Sequence, residues 1–154
     1  MEDKTIFDQL FEAATHSKDP KGVVTSCVVD GGQVIAIAAS SDDGKEHAEN
    51  VMLGKMSSVP MGAVLYCTLE PCSRRTDPTM RDCVSDIIKS GIKEVVFGAR
   101  DPKQSELTHK RLGEAGVSIR QVTDAEIIKK CAEIFNESVS SDHAGVDVDL
   151  KPIQ

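Results

Sequence analysis

Four residues in the middle of the chain have the types and spacing that can do chemistry: His47, Glu49, Cys72 and Cys83. Zinc prefers nitrogen and sulfur ligands in a tetrahedron, and a catalytic site uses three protein ligands and leaves the fourth position for water. His47, Cys72 and Cys83 make such a set. The ion makes that water acidic, but its proton still needs an acceptor and the leaving group still needs a donor. Glu49, two positions after His47, is a carboxylate that can serve both ends of that transfer. Residues two apart on an ideal helix point roughly 200° away from each other. His47 and Glu49 therefore share a site only if His47 stands at the first turn, where the backbone is still entering the helix. Both cysteines are expected near helix N-termini, where the positive end of the dipole favours a thiolate.

The elements that must deliver these residues follow from pattern. Ile6, Leu10 and Ala14, with Phe7 and Phe11 beside them, give helical spacing over Thr5 to about His16. Val23–Val29 and Gln33–Ala39 are short β-prone runs joined across Asp30-Gly31-Gly32, which predicts a hairpin. A helix is expected from His47 to about Met56, a buried strand over Ala63–Thr68, and a helix over Arg81–Ser90 stopped by Gly91. Glu94–Ala99 predicts a strand, Lys103–Ala115 a helix, and Val117–Val122 a fifth strand. Thr123, with Glu126 three residues later, predicts a capping box for a last helix to about Ser138. A hairpin followed by three strand–helix units predicts an α/β fold: a mixed five-stranded sheet with helices on both faces.

Composition bounds the function. With 154 residues the chain suits one domain, expected over 1–139, followed by a polar tail over 140–154. Four Phe, one Tyr and no Trp mean that the core must rest on aliphatic residues, which again suits a sheet covered by helices. The net charge of −7 argues against a protein that grips long nucleic acids, because a phosphate backbone calls for a basic surface. It leaves room for a small anionic ligand, and Arg74, Arg75 and Arg81 between the two metal cysteines are suited to a phosphate. The apolar runs are far too short to span a bilayer, and the polar opening Met1-Glu2-Asp3-Lys4 argues against a secretory signal. The expectation is a cytoplasmic chain whose five cysteines bind metal or pack rather than pair. Cys27, Cys67 and Cys131 lie in apolar patterns and are expected in the core.

His47-Ala48-Glu49 and Pro71-Cys72 resemble the H-x-E and P-C motifs of the cytidine-deaminase-like superfamily, whose common signature ends in P-C-x-x-C. Here ten residues, not two, separate Cys72 from Cys83. That departure, the run Thr68-Leu69-Glu70-Pro71-Cys72-Ser73, and Ile87-Ile88-Lys89-Ser90-Gly91-Ile92-Lys93 resemble the pyrimidine deaminase of riboflavin biosynthesis. Ala99-Arg100-Asp101-Pro102 and Leu112-Gly113-Glu114-Ala115-Gly116-Val117 continue the resemblance. It implies a three-layer α/β/α fold, one zinc ion, and hydrolytic release of ammonia from an aminopyrimidine ribosyl or ribityl phosphate. It also implies substrate contacts from the Ser40–Ser41 region and assembly into a homodimer or homotetramer. Rival readings are a deaminase of free cytosine, nucleosides or another small heterocycle, and a non-catalytic zinc-stabilised protein. A structural site is usually closed by four ligands, so Cys67 or His109 beside the metal would favour the last.

Overall fold

The computed structural model describes residues 2–73 and 81–139. The elements run α1 (Asp3–Ala14), β1 (Thr25–Asp30), β2 (Gln33–Ala39), α2 (Ala48–Lys55), β3 (Val64–Leu69), α3 (Cys83–Ser90), β4 (Glu94–Ala99), α4 (Ser105–Glu114), β5 (Ser118–Gln121) and α5 (Ala125–Ser138). The sheet order is β2-β1-β3-β4-β5, with β1 antiparallel to both neighbours and β3, β4 and β5 mutually parallel. The expected mixed five-stranded sheet is therefore present. The β1–β2 turn consists of Gly31 and Gly32 at φ 58° and 80°. Two successive positive φ values match the twist of a two-residue hairpin and are open to glycine at little cost.

Alternation along the strands fills a core on each face of the sheet. Cys27 and Val29 of β1, Tyr66 of β3 and Val96 of β4 pack with α1 and α5. Their neighbours Val28, Leu65, Cys67, Val95 and Phe97 pack with Met52 of α2, Val84 and Ile87 of α3 and Leu112 of α4. The result is three layers, with α1 and α5 on one face and α2, α3 and α4 on the other. Cys27, Cys67 and Cys131 are all buried free thiols, and desolvation pushes Cys27 up to about 12. Gly98 on β4 is required by a close approach: a Cβ there would collide with Cys131 Sγ of α5.

The last helix corrects one expectation. Its N-cap is Asp124 and not Thr123: the Asp124 carboxylate accepts the Glu126 N–H at 2.9 Å. The Val122 N–H is still donating to the Phe97 carbonyl at 3.0 Å. The chain thus stays attached to the sheet up to Val122, and the helix starts one residue later than the capping-box pattern predicts.

Candidate metal centre

The site assembles at the ends of β3 and β4 where the parallel strands stop, against the first turns of α2 and α3. His47 is the N-cap of α2, with φ −76° and ψ 158°, so its backbone is extended while Ala48 already lies in the helix. That placement frees His47 from the helical angular spacing and lets its ring and the Glu49 carboxylate face one point. Cys83 is the first residue of α3, whose N-cap Asp82 accepts the Ser85 N–H at 2.7 Å. Cys72 lies beyond the end of β3, outside any helix, but its sulfur still reaches a helix N-terminus: the Cys83 N–H donates to Cys72 Sγ at 3.4 Å.

His47 Nδ1 lies 3.2 Å from Cys83 Sγ and 3.3 Å from Cys72 Sγ, and the two sulfurs are 3.5 Å apart. All three ligand atoms fall within 4.8 Å of one another. One imidazole nitrogen and two sulfurs at such spacing fit a zinc ion. The hydrogen bond from Cys83, helped by His47, pulls the Cys72 thiol below its ordinary value against the cost of burial. Burial, together with Cys72 and Glu49, pushes Cys83 above its own. The pair thus holds one thiolate readily and gives up its second proton only to a strong competitor, such as a divalent cation.

Glu49 is 2% exposed, and its Oε2 accepts from Cys83 Sγ at 3.4 Å. Asn50, also buried, donates to Asp86 Oδ2 at 2.6 Å and places Oδ1 3.8 Å from Cys83 Sγ. Arg81 Nε sits 3.6 Å from the same Asp86 carboxylate, with its side chain 60% exposed. Arg74 and Arg75 lie outside the described residues. Ser40 and Ser41 shape the loop that leads to His47. The Ser40 hydroxyl accepts from Val24 N–H at 3.2 Å. The Ser41 hydroxyl donates to Asp43 at 2.7 Å and accepts from Glu46 N–H at 2.9 Å.

Pattern reading gave no role to Glu70. Its side chain is fully buried, two residues before Cys72, and accepts from His109 Nε2 at 2.6 Å, Ser105 Oγ at 3.0 Å and the Asp101 N–H at 3.1 Å. Burial raises its pKa, and these three donors oppose the rise. His109 is thereby committed to Glu70, and neither it nor Cys67 belongs to the ligand group among the described residues. A signal for this arrangement was present in α4: Gln104, Ser105, Thr108 and His109 recur at a spacing of four, as one side of a helix requires.

Residues 1–99 match the family model of the cytidine and deoxycytidylate deaminase zinc-binding region. The riboflavin biosynthesis protein RibD of Aquifex aeolicus is 35% identical over 122 residues, which cover 77% of this chain and 32% of that protein. The chain therefore spans about a third of the length of this curated relative. A diaminohydroxyphosphoribosylaminopyrimidine deaminase/5-amino-6-(5-phosphoribosylamino)uracil reductase from Thermotoga maritima superposes with a TM-score of 0.65 at 25% identity, over 87% of this chain and 40% of that one. The Aspergillus oryzae Rib2 deaminase, solved in complex with DARIPP, shares the fold with a TM-score of 0.69 at 18% identity, over 93% of this chain and 94% of that one.

Proposed function

The chain belongs to the cytidine and deoxycytidylate deaminase zinc-binding family, and from that premise we propose that it is a hydrolytic deaminase of an aminopyrimidine ribosyl or ribityl phosphate in riboflavin biosynthesis. The observation that carries the chemistry is a buried carboxylate, Glu49, with its Oε2 3.4 Å from Cys83 Sγ of the His47–Cys72–Cys83 cluster. The likeness to RibD proteins and to the Thermotoga maritima deaminase/reductase supports the choice of substrate class.

His47 Nδ1, Cys72 Sγ and Cys83 Sγ would hold a zinc ion, which when bound would supply an electrophile that acidifies water at neutral pH. Glu49 Oε2 takes a proton from the attacking water and passes protons to the ring nitrogen and the departing amine, so that a ring carbonyl and ammonia are the products. Its burial removes bulk water as a competing acceptor and keeps the proton within the site. The Asn50–Asp86 hydrogen bond ties α2 to α3 at the residue after Glu49. Arg81, with Arg74 and Arg75, is assigned to the substrate phosphate, and the Ser40–Ser41 loop to its sugar or base. The proposal extends to a homodimer or homotetramer acting in the cytoplasm, with residues 1–139 as the deaminase unit and 140–154 as a tail.

The test is ammonia release by the zinc-loaded chain from the ribosyl and ribityl diaminopyrimidine phosphates, cytosine, cytidine, deoxycytidine monophosphate, adenine and guanine. Release from a diaminopyrimidine phosphate is the expected result, and which of the two reacts fixes whether the chain works before or after a reduction of the sugar. Release only from a free base or nucleoside would keep the mechanism and overturn the substrate. Silence across the panel with zinc bound would favour a non-catalytic zinc protein.

A further inference from the structure

One side of α4 engages every polar group of Ser73, the residue that follows Cys72. The Ser73 N–H donates to Gln104 Oε1 at 3.0 Å, its hydroxyl pairs with Thr108 Oγ1 at 2.9 Å, and its carbonyl accepts from Arg111 Nη1 at 2.6 Å. Thr108 Oγ1 also donates to the Pro71 carbonyl at 2.7 Å, so the backbone on both sides of Cys72 is tied to this helix.

Arg111 does something the other two do not. The same guanidinium that holds the Ser73 carbonyl also donates to Asp82 Oδ1 at 3.1 Å and, through Nη2, to Ser85 Oγ at 2.9 Å. Asp82 is the N-cap of α3, directly before Cys83. One planar, charged group therefore bridges the residue after the first sulfur ligand and the residue before the second. The Arg111 side chain is 29% exposed and that of Asp82 21%, so the bond between them is partly sheltered from water.

We infer that Arg111 is a positioning residue for the zinc site, setting the separation of Cys72 and Cys83 from outside the ligand group; the inference rests on those two cysteines being zinc ligands. Eight residues intervene between Ser73 and Asp82 in the sequence, and the one guanidinium reaches both. A fork of N–H donors can span the gap, whereas a lysine ammonium is a point charge that reaches one partner well. Groups that orient metal ligands in this way typically change metal affinity by about 10–100-fold when removed.

The test measures zinc transfer from the full chain to an excess of a chelating dye, and the visible spectrum of the cobalt(II)-loaded protein. Arg111→Met is expected to speed zinc release by about tenfold and to alter the sulfur-to-cobalt charge-transfer band. Arg111→Lys should fall between Arg111→Met and wild type. Arg120→Met, which breaks only the pair with Asp3 of α1, should leave both readouts in place. Release and spectrum unchanged in Arg111→Met would overturn the inference, and if that variant does not fold, the same result in Arg111→Lys would do so. A wild-type chain that takes up no zinc would instead overturn the reading of the metal centre itself, and the inference with it.

Discussion

Replacing Glu49 by Gln isolates the proton carrier from everything else at the site. The amide has nearly the volume of the carboxylate, and Glu49 is 2% exposed, so the substitution neither opens a cavity nor admits bulk water as a replacement base. In the zinc-loaded protein Cys83 is a ligand thiolate with no proton to donate, so its 3.4 Å approach to Oε2 is not a hydrogen bond that the substitution removes. What disappears is the ability to take up a proton. A positioned general acid–base contributes about 10²–10⁴-fold to a rate, which is roughly 3–5 kcal/mol of barrier. Here one group serves both the water and the leaving amine, which argues for the upper part of that range. The ligand atoms of His47, Cys72 and Cys83 are untouched, so zinc content should stay at the wild-type level. The assay is ammonia release at saturating substrate, using the compound that the panel identifies, with zinc measured on the same sample. Retention of kcat within about tenfold of wild type, with full zinc, would refute the role given to Glu49, since even the lower bound for acid–base catalysis exceeds it.

Two further outcomes concern the scaffold. Gly98→Ala forces a Cβ against Cys131 Sγ and should cost about 1–3 kcal/mol, as overpacked cores do; in thermal melts, adding Cys131→Ala should restore part of the loss, and simple additivity of the two changes would contradict the contact. The second is alkaline stability. Cys27 is raised by burial from 9.0 to about 12, so above pH 9 the unfolded chain loses a proton that the folded chain keeps, and folding stability falls as pH rises through that window. One such thiol contributes about 1.4 kcal/mol per pH unit, so urea titrations between pH 9 and 10.5 should show a shallower decline for Cys27→Ala than for wild type, and parallel declines would count against the shift.

The metal centre was legible because its residues are chemically unusual and sit close to element boundaries. His47-Ala48-Glu49 could be placed at a helix entry because, with a helix expected to begin there, two residues two apart meet at one point only where the backbone is still entering it, and His47 is extended at that position. The hairpin was legible from Gly31 and Gly32, whose positive φ values few other residues adopt. Thr123 and Asp124 are both good caps, and sequence alone could not choose between them; the sheet decides, by holding Val122 to Phe97. The hold on Cys72 was not legible for a different reason. Glu70 and Ser73 lie more than thirty residues from their partners Thr108, His109 and Arg111, and the four-residue spacing of polar residues on α4 marks one side of a helix without naming what it meets. Polar residues on α4 read as a solvated surface until the fold brings them against the segment that carries Cys72.

The sheet topology also divides the molecule into a working end and a spare end. Val64 of β3 pairs with Glu94 of β4, which pairs with Ser118 of β5, and with Val29 of β1. The connections at Gly31–Gly32, Gly91 and Gly116 therefore all gather at the starts of the parallel strands, whereas His47, Cys72 and Cys83 gather beyond their finishes. A strand of six residues separates the two by about 20 Å. For protein engineering this makes the hairpin tip a graft point: a fluorophore, epitope or immobilising tether attached there would leave the approach to the metal centre unobstructed.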